Sequence, residues 1–317
     1  MKNIFICEYS RTPIGSYQGQ FKNISAPKLG SSVIQSVLEK SGLKREDINQ
    51  VIMGNVLSTG VGQAPARQAA LYAGLPNSVE CLTINKVCGS GLKAIMLAEQ
   101  AISLNPSDII IAGGMENMSL APHYVANSRK GLGFGDSKLY DTILHDGLWD
   151  PYNNMAMGNC AEILVNEEKL DRKEQDCFAV NSYIRSNNAI EKGYFKDEII
   201  PIKVKSRKGD ILIDTDEEPL KFNKDKIMSL KPVFSRDGTI TAANASSLND
   251  GAAAVLLLSE DKINDYKIKP KAKIISHTSY AMEPLYFTKA PINAIKKVLN
   301  DSDLSIDDID LFEINEA

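Results

Sequence analysis

Among the five cysteines and three histidines of this 317-residue sequence, Cys88 is the residue best placed to do chemistry. It follows a run, Cys81 to Val87, that reads as a strand, and it precedes Gly89-Ser90-Gly91, which opens a helix. Strand, tight turn and helix together make the context of a nucleophile elbow. The glycines permit the turn and let a substrate come close to the backbone. The helix N-terminus sets amide N–H groups and partial positive charge beside the sulfur, which favours thiolate over thiol and offers donors to an oxyanion. The same amides could bind the oxyanion formed when a thioester is attacked. Taken alone, the same cysteine reads equally well as a buried structural thiol. Neither His123, His145 and His277 nor Cys7, Cys81, Cys160 and Cys177 sit in an acid/base motif, so packing or surface roles are their default.

The elements that must position Cys88 alternate over the first 118 residues. Asn3 to Cys7 and Ile48 to Met53 read as strands, and Leu29, Val33, Ile34, Val37 and Leu38 form a stripe at helical spacing. Gly91 to Leu104 reads as a helix, and Asp108 to Ala112 as a strand buried on both faces. Such alternation predicts a mainly parallel, layered α/β sheet. From Met118 to Thr241 the texture changes to Gly-rich turns and then helices. Asp171 and Glu174 suggest a capping box for a helix running toward Lys192, with Gly193 as its stop. A lysine-rich hairpin turning at Ser206 to Asp210 follows, and the stretch reads as an insertion. Ala252 to Leu258 then returns as a buried strand.

A shift of 261 positions lays Ile34, Val37, Leu38, Ser41, Leu43, Asp47 and Ile48 on Ile295, Val298, Leu299, Ser302, Leu304, Asp308 and Ile309. Val51 and Met53 fall on Phe312 and Ile314, so both copies read helix, polar loop, acidic cap and strand. An internal duplication accounts for this, as does chance likeness of two amphipathic helix–strand units. If it is a duplication, the second copy stops at Ala317, three residues past Ile314, and is expected to lack most of its half-sheet.

Composition narrows the class. A net charge of −4 and a pI near 5.6 argue against a nucleic-acid partner. The 43% hydrophobic and 24% charged content is that of a globular protein. The odd cysteine number without a C-x-x-C pair fits reduced thiols in a cytoplasmic setting. No run approaches a membrane span, so no membrane association is expected.

Five segments carry a family resemblance in order from end to end: RTPIG from Arg11, INKVCGSGLKAI around Cys88, GGMENMS from Gly113 with Ala121-Pro122-His123, TAANASSLNDGAAAVLL from Thr241, and Asn315-Glu316-Ala317. Together they resemble the thiolase family. The resemblance implies a duplicated, layered α/β/α/β/α fold with an inserted loop domain, its second half incomplete here. The expected boundaries are 1–118 plus 242–262 for the first half, 119–241 for the CoA-binding loop domain, and 263–317 for the partial second half. It also implies an acetyl-CoA C-acetyltransferase reaction, in which two acetyl-CoA interconvert with acetoacetyl-CoA plus CoA through an acyl group on Cys88.

In the family, Asn315 would hold a water in an oxyanion hole. A histidine from a GHPxGxSG segment activates the nucleophile, and a cysteine from a CxGxG segment is the acid/base. Neither segment occurs in this sequence, and Ala156 stands where the family usually carries a histidine before Met157 and Gly158. The resemblance is therefore to a C-terminally truncated member whose activity is expected to be impaired, and a catalytically inactive remnant that at most binds CoA is the alternative. A β-ketoacyl synthase shares the duplicated fold but fits CGSGL, TAANAS and NEA less well.

By the same motif matches, Lys221, Phe222, Asn223 and Lys226 would line the nucleotide end of CoA. Met157, Tyr183, Ala242 and Ser246 complete the expected cofactor-contacting set, with Ser246 near the pantetheine. Tyr183, Ala242, Ala243 and Ala245 match a potassium site of mitochondrial-type family members. No prosthetic group is implied, since the CoA thioester is the substrate. Glu283 to Pro291 resembles the segment of the short-chain subgroup, and family members assemble as homo-oligomers, either dimers or tetramers.

Overall fold

The structure is a computed structural model that describes residues 3–206 and 209–317. Along the chain the elements are β1 (Ile4–Arg11), β2 (Gly15–Ser16), α1 (Ala26–Ser41), β3 (Gln50–Gly54), α2 (Pro65–Tyr72), β4 (Glu80–Ile84), α3 (Ser90–Leu104) and β5 (Ile110–Asn117). Two short antiparallel pairs follow, β6 (His123–Val125) with β7 (Leu139–Asp141) and β8 (Trp149–Asp150) with β9 (Met155–Ala156). Then come α4 (Met157–Glu168), α5 (Arg172–Glu191), the hairpin β10 (Ile202–Ser206) and β11 (Gly209–Ile213), and α6 (Lys224–Ser229). The chain continues with β12 (Asn249–Ser259), α7 (Glu260–Tyr266), β13 (Ala272–Lys273) and α8 (Ala290–Asp301). The turn expected at Ser206 to Asp210 includes Arg207 and Lys208, which lie outside the described residues. Among the described residues no helix is long and apolar enough to cross a membrane.

The chain divides into two compact units. The first comprises residues 1–147, 190–220 and 248–274, and the second comprises 148–189, 221–247 and 275–317. Residues 119–147 and 190–220, read from sequence as part of the insertion, thus belong with the first sheet. The Arg11 amide donates to the Glu198 carbonyl at 2.8 Å, and the Ile200 amide donates to the Arg11 carbonyl at 2.9 Å. The Arg11 guanidinium also pairs with the carboxylates of Glu198 and Asp216, each at 2.7 Å.

The sheet of the first unit has the order β13-β1-β12-β5-β3-β4, with β2 pairing to β12. It is mixed, which corrects the expectation of a mainly parallel sheet. Only β3–β4 and β3–β5 are parallel, while β12 runs antiparallel to β1, β2 and β5. Apolar runs such as Val255 to Leu258 show that a strand is buried on both faces but carry nothing about its direction.

Period-two alternation divides the core between two faces. Val51 and Met53, Ile109 and Ile111, and Leu256 and Leu258 face α1 and α2, where Leu29, Val33, Ile34 and Val37 are fully buried. Ile52, Ile110, Ala112 and Leu257 face α3 through Ala94, Ala98 and Ile102. The result is a helix/sheet/helix sandwich. Each fully buried leucine or isoleucine contributes about 1.5–3 kcal/mol of transfer free energy. The small Ala94 and Ala98 let α3, and so the turn before it, sit close on the sheet.

The repeat at 261 positions reaches backbone detail. Gly42 and its counterpart Asp303 are both left-handed, with φ of 69° and 54°. The 3-10 turns Arg45–Asp47 and Ile306–Asp308 match. Asp47 Oδ2 accepts the Lys44 amide and Asp308 Oδ2 accepts the Ser305 amide, both at 2.8 Å. The correspondence stops at the strand. Val51 and Met53 are wholly buried in β3, whereas Phe312 and Ile314 are 49% and 51% exposed in a segment without strand structure. The strand expected there needs sheet neighbours, and none pairs with residues 311–317 among the described residues.

Candidate active site

Strand β4 ends at Ile84, three residues earlier than the sequence reading through Val87, because side chains from two directions bend the chain. The Val87 amide donates to Asn85 Oδ1 at 2.9 Å, an Asx turn that competes with a strand ladder. Ser90 Oγ accepts the Lys86 amide at 2.8 Å and donates to the Val87 carbonyl at 2.6 Å. Val87 itself holds φ of +46°, a left-handed conformation that a β-branched side chain adopts only under constraint. The turn closes with the Gly89 amide on the Lys86 carbonyl at 3.1 Å, and α3 begins at Ser90. Gly54 lies directly beneath: a Cβ built there would stand 2.6 Å from Ser90 Cβ, so only glycine lets the helix entry seat on β3.

Of the two readings of Cys88, the buried structural thiol is the one this geometry does not match. The thiol is exposed beside the first turn of α3, whose N–H groups have no intrahelical acceptors. The buried structural thiols are Cys7 and Cys160, both 0% exposed. Burial, with help from the charge of Glu8, pushes the Cys7 thiol up to about 12. Burial and then Asp150 raise Cys160 as well. Sequence motifs did not single out Asn85, Val87 or Ser90, although all three lie within the segment that carries Cys88.

Every other sequence-predicted site residue falls in the second unit. Tyr183 of α5 and Phe222 stack with ring centroids 5.5 Å apart and planes 19° from parallel. Lys221, Asn223 and Lys226 are exposed around the start of α6. Asn223 spends its carbonyl oxygen capping that helix, accepting the Lys226 amide at 3.0 Å. Met157 is the first residue of α4, half-buried, with Ala156 before it.

The segment from Thr241 to Ser246 is a compact turn, in which the Ala245 amide donates to the Thr241 carbonyl at 3.0 Å. Ala242 and Ser246 are exposed, and Ala243 and Ala245 are half-buried. Residues absent from the predicted site hold this turn. Asn244 Oδ1 accepts the Thr241 amide at 2.7 Å, while its Nδ2 donates to Asp176 Oδ1 at 2.9 Å. Asp176, 2% exposed, also receives Arg172 Nε at 2.8 Å. Just upstream, the buried Glu162 accepts the Thr239 and Ile240 amides, each at 2.8 Å. The Ser246 amide meets the Ala317 carbonyl at 2.9 Å, which brings the tail carrying the exposed Asn315 to this turn.

The histidines have other partners. His123 Nε2 lies 3.9 Å from Asp141 Oδ2, and His145 Nδ1 lies 3.0 Å from the Tyr124 hydroxyl. Among the described residues no cluster of three His, Cys, Asp or Glu side chains could hold a metal ion. The donors matched to a potassium site are of another kind. Ala242, Ala243 and Ala245 offer backbone carbonyls and Tyr183 a phenol, a neutral all-oxygen set that fits an alkali cation.

Residues 4–261 match the sequence profile of the thiolase N-terminal domain, and residues 268–317 match that of the thiolase C-terminal domain. An acetyl-CoA acetyltransferase of Yarrowia lipolytica is 46% identical over 313 residues, covering 99% of this chain and 78% of the relative. The crystal structure of a Bacillus anthracis acetyl-CoA acetyltransferase superposes with a TM-score of 0.97 at 37% identity, covering 100% of this chain and 80% of that one. The Acat5 thiolase of Ascaris suum, solved in complex with coenzyme A, gives a TM-score of 0.94 at 39% identity, covering 99% and 81%. These alignments run through almost the whole of this chain and do not support the expected truncation. With two family profiles accounting for nearly every residue, the chain belongs to the thiolase family.

Proposed function

We propose that this protein is an acetyl-CoA C-acetyltransferase that interconverts two acetyl-CoA with acetoacetyl-CoA plus CoA. The observation that carries the reading is Cys88, an exposed thiol in a constrained turn at the start of α3. In the first step Cys88 Sγ attacks the thioester carbonyl of acetyl-CoA. The bond from that carbonyl to the CoA sulfur breaks, CoA leaves as a thiol, and the acetyl group stays on Cys88. In the second step the α carbon of another acetyl-CoA attacks the acetyl-cysteine carbonyl as it loses a proton, the bond from that carbonyl to Cys88 Sγ breaks, and the sulfur leaves as the thiolate and takes up a proton in balance, giving acetoacetyl-CoA and the free Cys88 thiol. Amides of the α3 first turn serve the first oxyanion, and Asn315 is assigned to the second.

CoA is proposed to lie along the second unit. Lys221 and Lys226 meet its phosphates, the Tyr183–Phe222 stack and Asn223 line the nucleotide end, and Met157, Ala242 and Ser246 meet the pantetheine. A potassium ion, held by Tyr183 and the carbonyls of Ala242, Ala243 and Ala245, would supply fixed positive charge that firms this turn. A cytoplasmic setting belongs to the proposal, since five free cysteines suit a reducing compartment. So does a homo-oligomer, because β4 is an edge strand with Leu82 48% exposed.

The test is acyl capture. The purified chain is incubated with acetyl-CoA and its intact mass and peptides are read. One acetyl group on Cys88, absent from Cys88→Ala, supports the reading. A chain that stays unmodified while still binding CoA favours the non-catalytic alternative.

A further inference from the structure

The turn that presents Cys88 is tied, one hydrogen bond after another, to a carboxylate at the far end of β5. Glu116 Oε2 accepts the Val56 amide at 2.7 Å, and its Oε1 accepts Asn55 Nδ2 at 2.8 Å. The Leu57 amide lies 3.3 Å from both oxygens. One half-buried side chain thus gathers three successive residues of the loop after β3. That loop grips the start of the Cys88 turn at two points. The Asn55 amide donates to the carbonyl of Ile84, the last residue of β4, at 3.0 Å, and the Val56 carbonyl accepts Asn85 Nδ2 at 3.5 Å. Asn85 Oδ1 in turn accepts the amide of Val87, the left-handed residue immediately before Cys88.

We propose that Glu116 is a positioning residue for Cys88, acting through the 55–57 loop and Asn85 to hold the strained Val87 turn in place. The proposal rests on the reading of Cys88 as the acyl acceptor. A residue in a disfavoured conformation persists only where its surroundings over-determine it. Ser90 secures the helix side of the turn, and the Glu116–Asn85 chain secures the strand side. Burial pushes the Glu116 carboxyl above its ordinary range despite these donors. The site therefore retains a carboxyl group at a desolvation cost that an outward-facing residue would avoid.

The test uses the full chain and three variants, Glu116→Gln, Asn85→Ala and the double variant. In each, the second-order rate of iodoacetamide alkylation at Cys88 is divided by that at Cys177, an exposed thiol on α5. Acetyl transfer from acetyl-CoA and the melting temperature are read in parallel. Each single variant is expected to lower the Cys88/Cys177 ratio by about fivefold, and the double by no more than the larger single effect, because both sit on one chain of contacts. A ratio within roughly twofold of wild type in Glu116→Gln, with only the melting temperature lowered, makes Glu116 structural and overturns the proposal. Multiplied effects in the double variant overturn it as well. Alkylation needs no turnover, so a wild-type chain that fails to accept acetyl groups would sink the acyltransferase reading while leaving this comparison decisive.

Discussion

The Ser90 hydroxyl donates to the Val87 carbonyl at 2.6 Å, and the same oxygen receives the Lys86 amide at 2.8 Å, so one side chain on α3 closes the turn around Cys88. Ser90 is 5% exposed, and water does not readily replace it. Ser90→Ala takes the acceptor from the Lys86 amide and leaves the Val87 carbonyl with the Ser90 amide alone, at 3.1 Å, which costs about 1 kcal/mol because both groups lie on exposed residues. The expected outcome is a lower urea midpoint together with slower alkylation of Cys88. A variant that loses stability but keeps wild-type Cys88 reactivity would show that the hydroxyl holds the fold and not the thiol.

Burial sorts four of the five cysteines into two sets, with Cys81 half-buried between them. At about pH 8, iodoacetamide is expected to modify Cys88 and Cys177 in the folded chain and to spare Cys7 and Cys160, whose thiols are buried and held neutral. Peptide mapping checks this, and rapid loss of Cys7 without unfolding counts against the packing of β1.

The same thiol gives a pH dependence with a definite sign. Cys7 ordinarily titrates at 9.0 and is pushed up to about 12 when folded. Between those values the folded chain keeps a proton that the unfolded chain has lost, so stability falls as pH rises. Urea unfolding between about pH 8 and about pH 11 is expected to show this decline, and Cys7→Ala is expected to flatten it from a lower starting stability. An equal slope in both proteins would remove Cys7 as its cause.

What the sequence made legible was local and periodic. The stripe at Leu29, Val33, Ile34, Val37 and Leu38 is the buried face of α1, and the Cys88 segment does open α3. The repeat was legible to the level of the caps at Asp47 and Asp308. Strand direction was not, because β12 and β1 pair across more than 240 positions through contacts that no short window contains. The exposure of Cys88 was not legible either, since it depends on Asn85 and Ser90 bending the chain after Ile84. The supports of the 241–246 turn escaped for the same reason, with Asp176 lying 68 residues from Asn244 and Glu162 lying 77 from Thr239.

Asp176 is the partner on which that turn depends. It is 2% exposed and holds Arg172 Nε at 2.8 Å and Asn244 Nδ2 at 2.9 Å. Asp176→Ala removes the carboxylate from both, leaving Asn244 Nδ2 with the Thr239 carbonyl at 3.1 Å and the Arg172 guanidinium with the Leu230 carbonyl at 2.8 Å. The expected loss is about 3 kcal/mol, at the low end for breaking a buried pair because the Arg172 side chain is partly solvated. CoA affinity, measured by calorimetry on the folded fraction, is expected to fall with it, since Ala242 and Ser246 lose their fixed backbone. Undiminished CoA binding would detach this turn from the proposed site.

Phe222 separates ligand binding from thiol chemistry. Its ring stacks on Tyr183 with centroids 5.5 Å apart in the second unit, whereas Cys88 belongs to the first. Aromatic pairs contribute about 0.5–1.5 kcal/mol beyond area burial. Phe222→Ala removes that contact and the flat surface proposed for the nucleotide end of CoA. The expected result is about a tenfold rise in the Kd for CoA, equivalent to roughly 1.4 kcal/mol. Iodoacetamide alkylation of Cys88, which uses no CoA contact, is expected to keep its wild-type rate. If CoA binds Phe222→Ala as tightly as wild type, the nucleotide end lies elsewhere. If Cys88 alkylation slows as well, the substitution has disturbed more than the stack, and Tyr183→Ala becomes the comparison that isolates it.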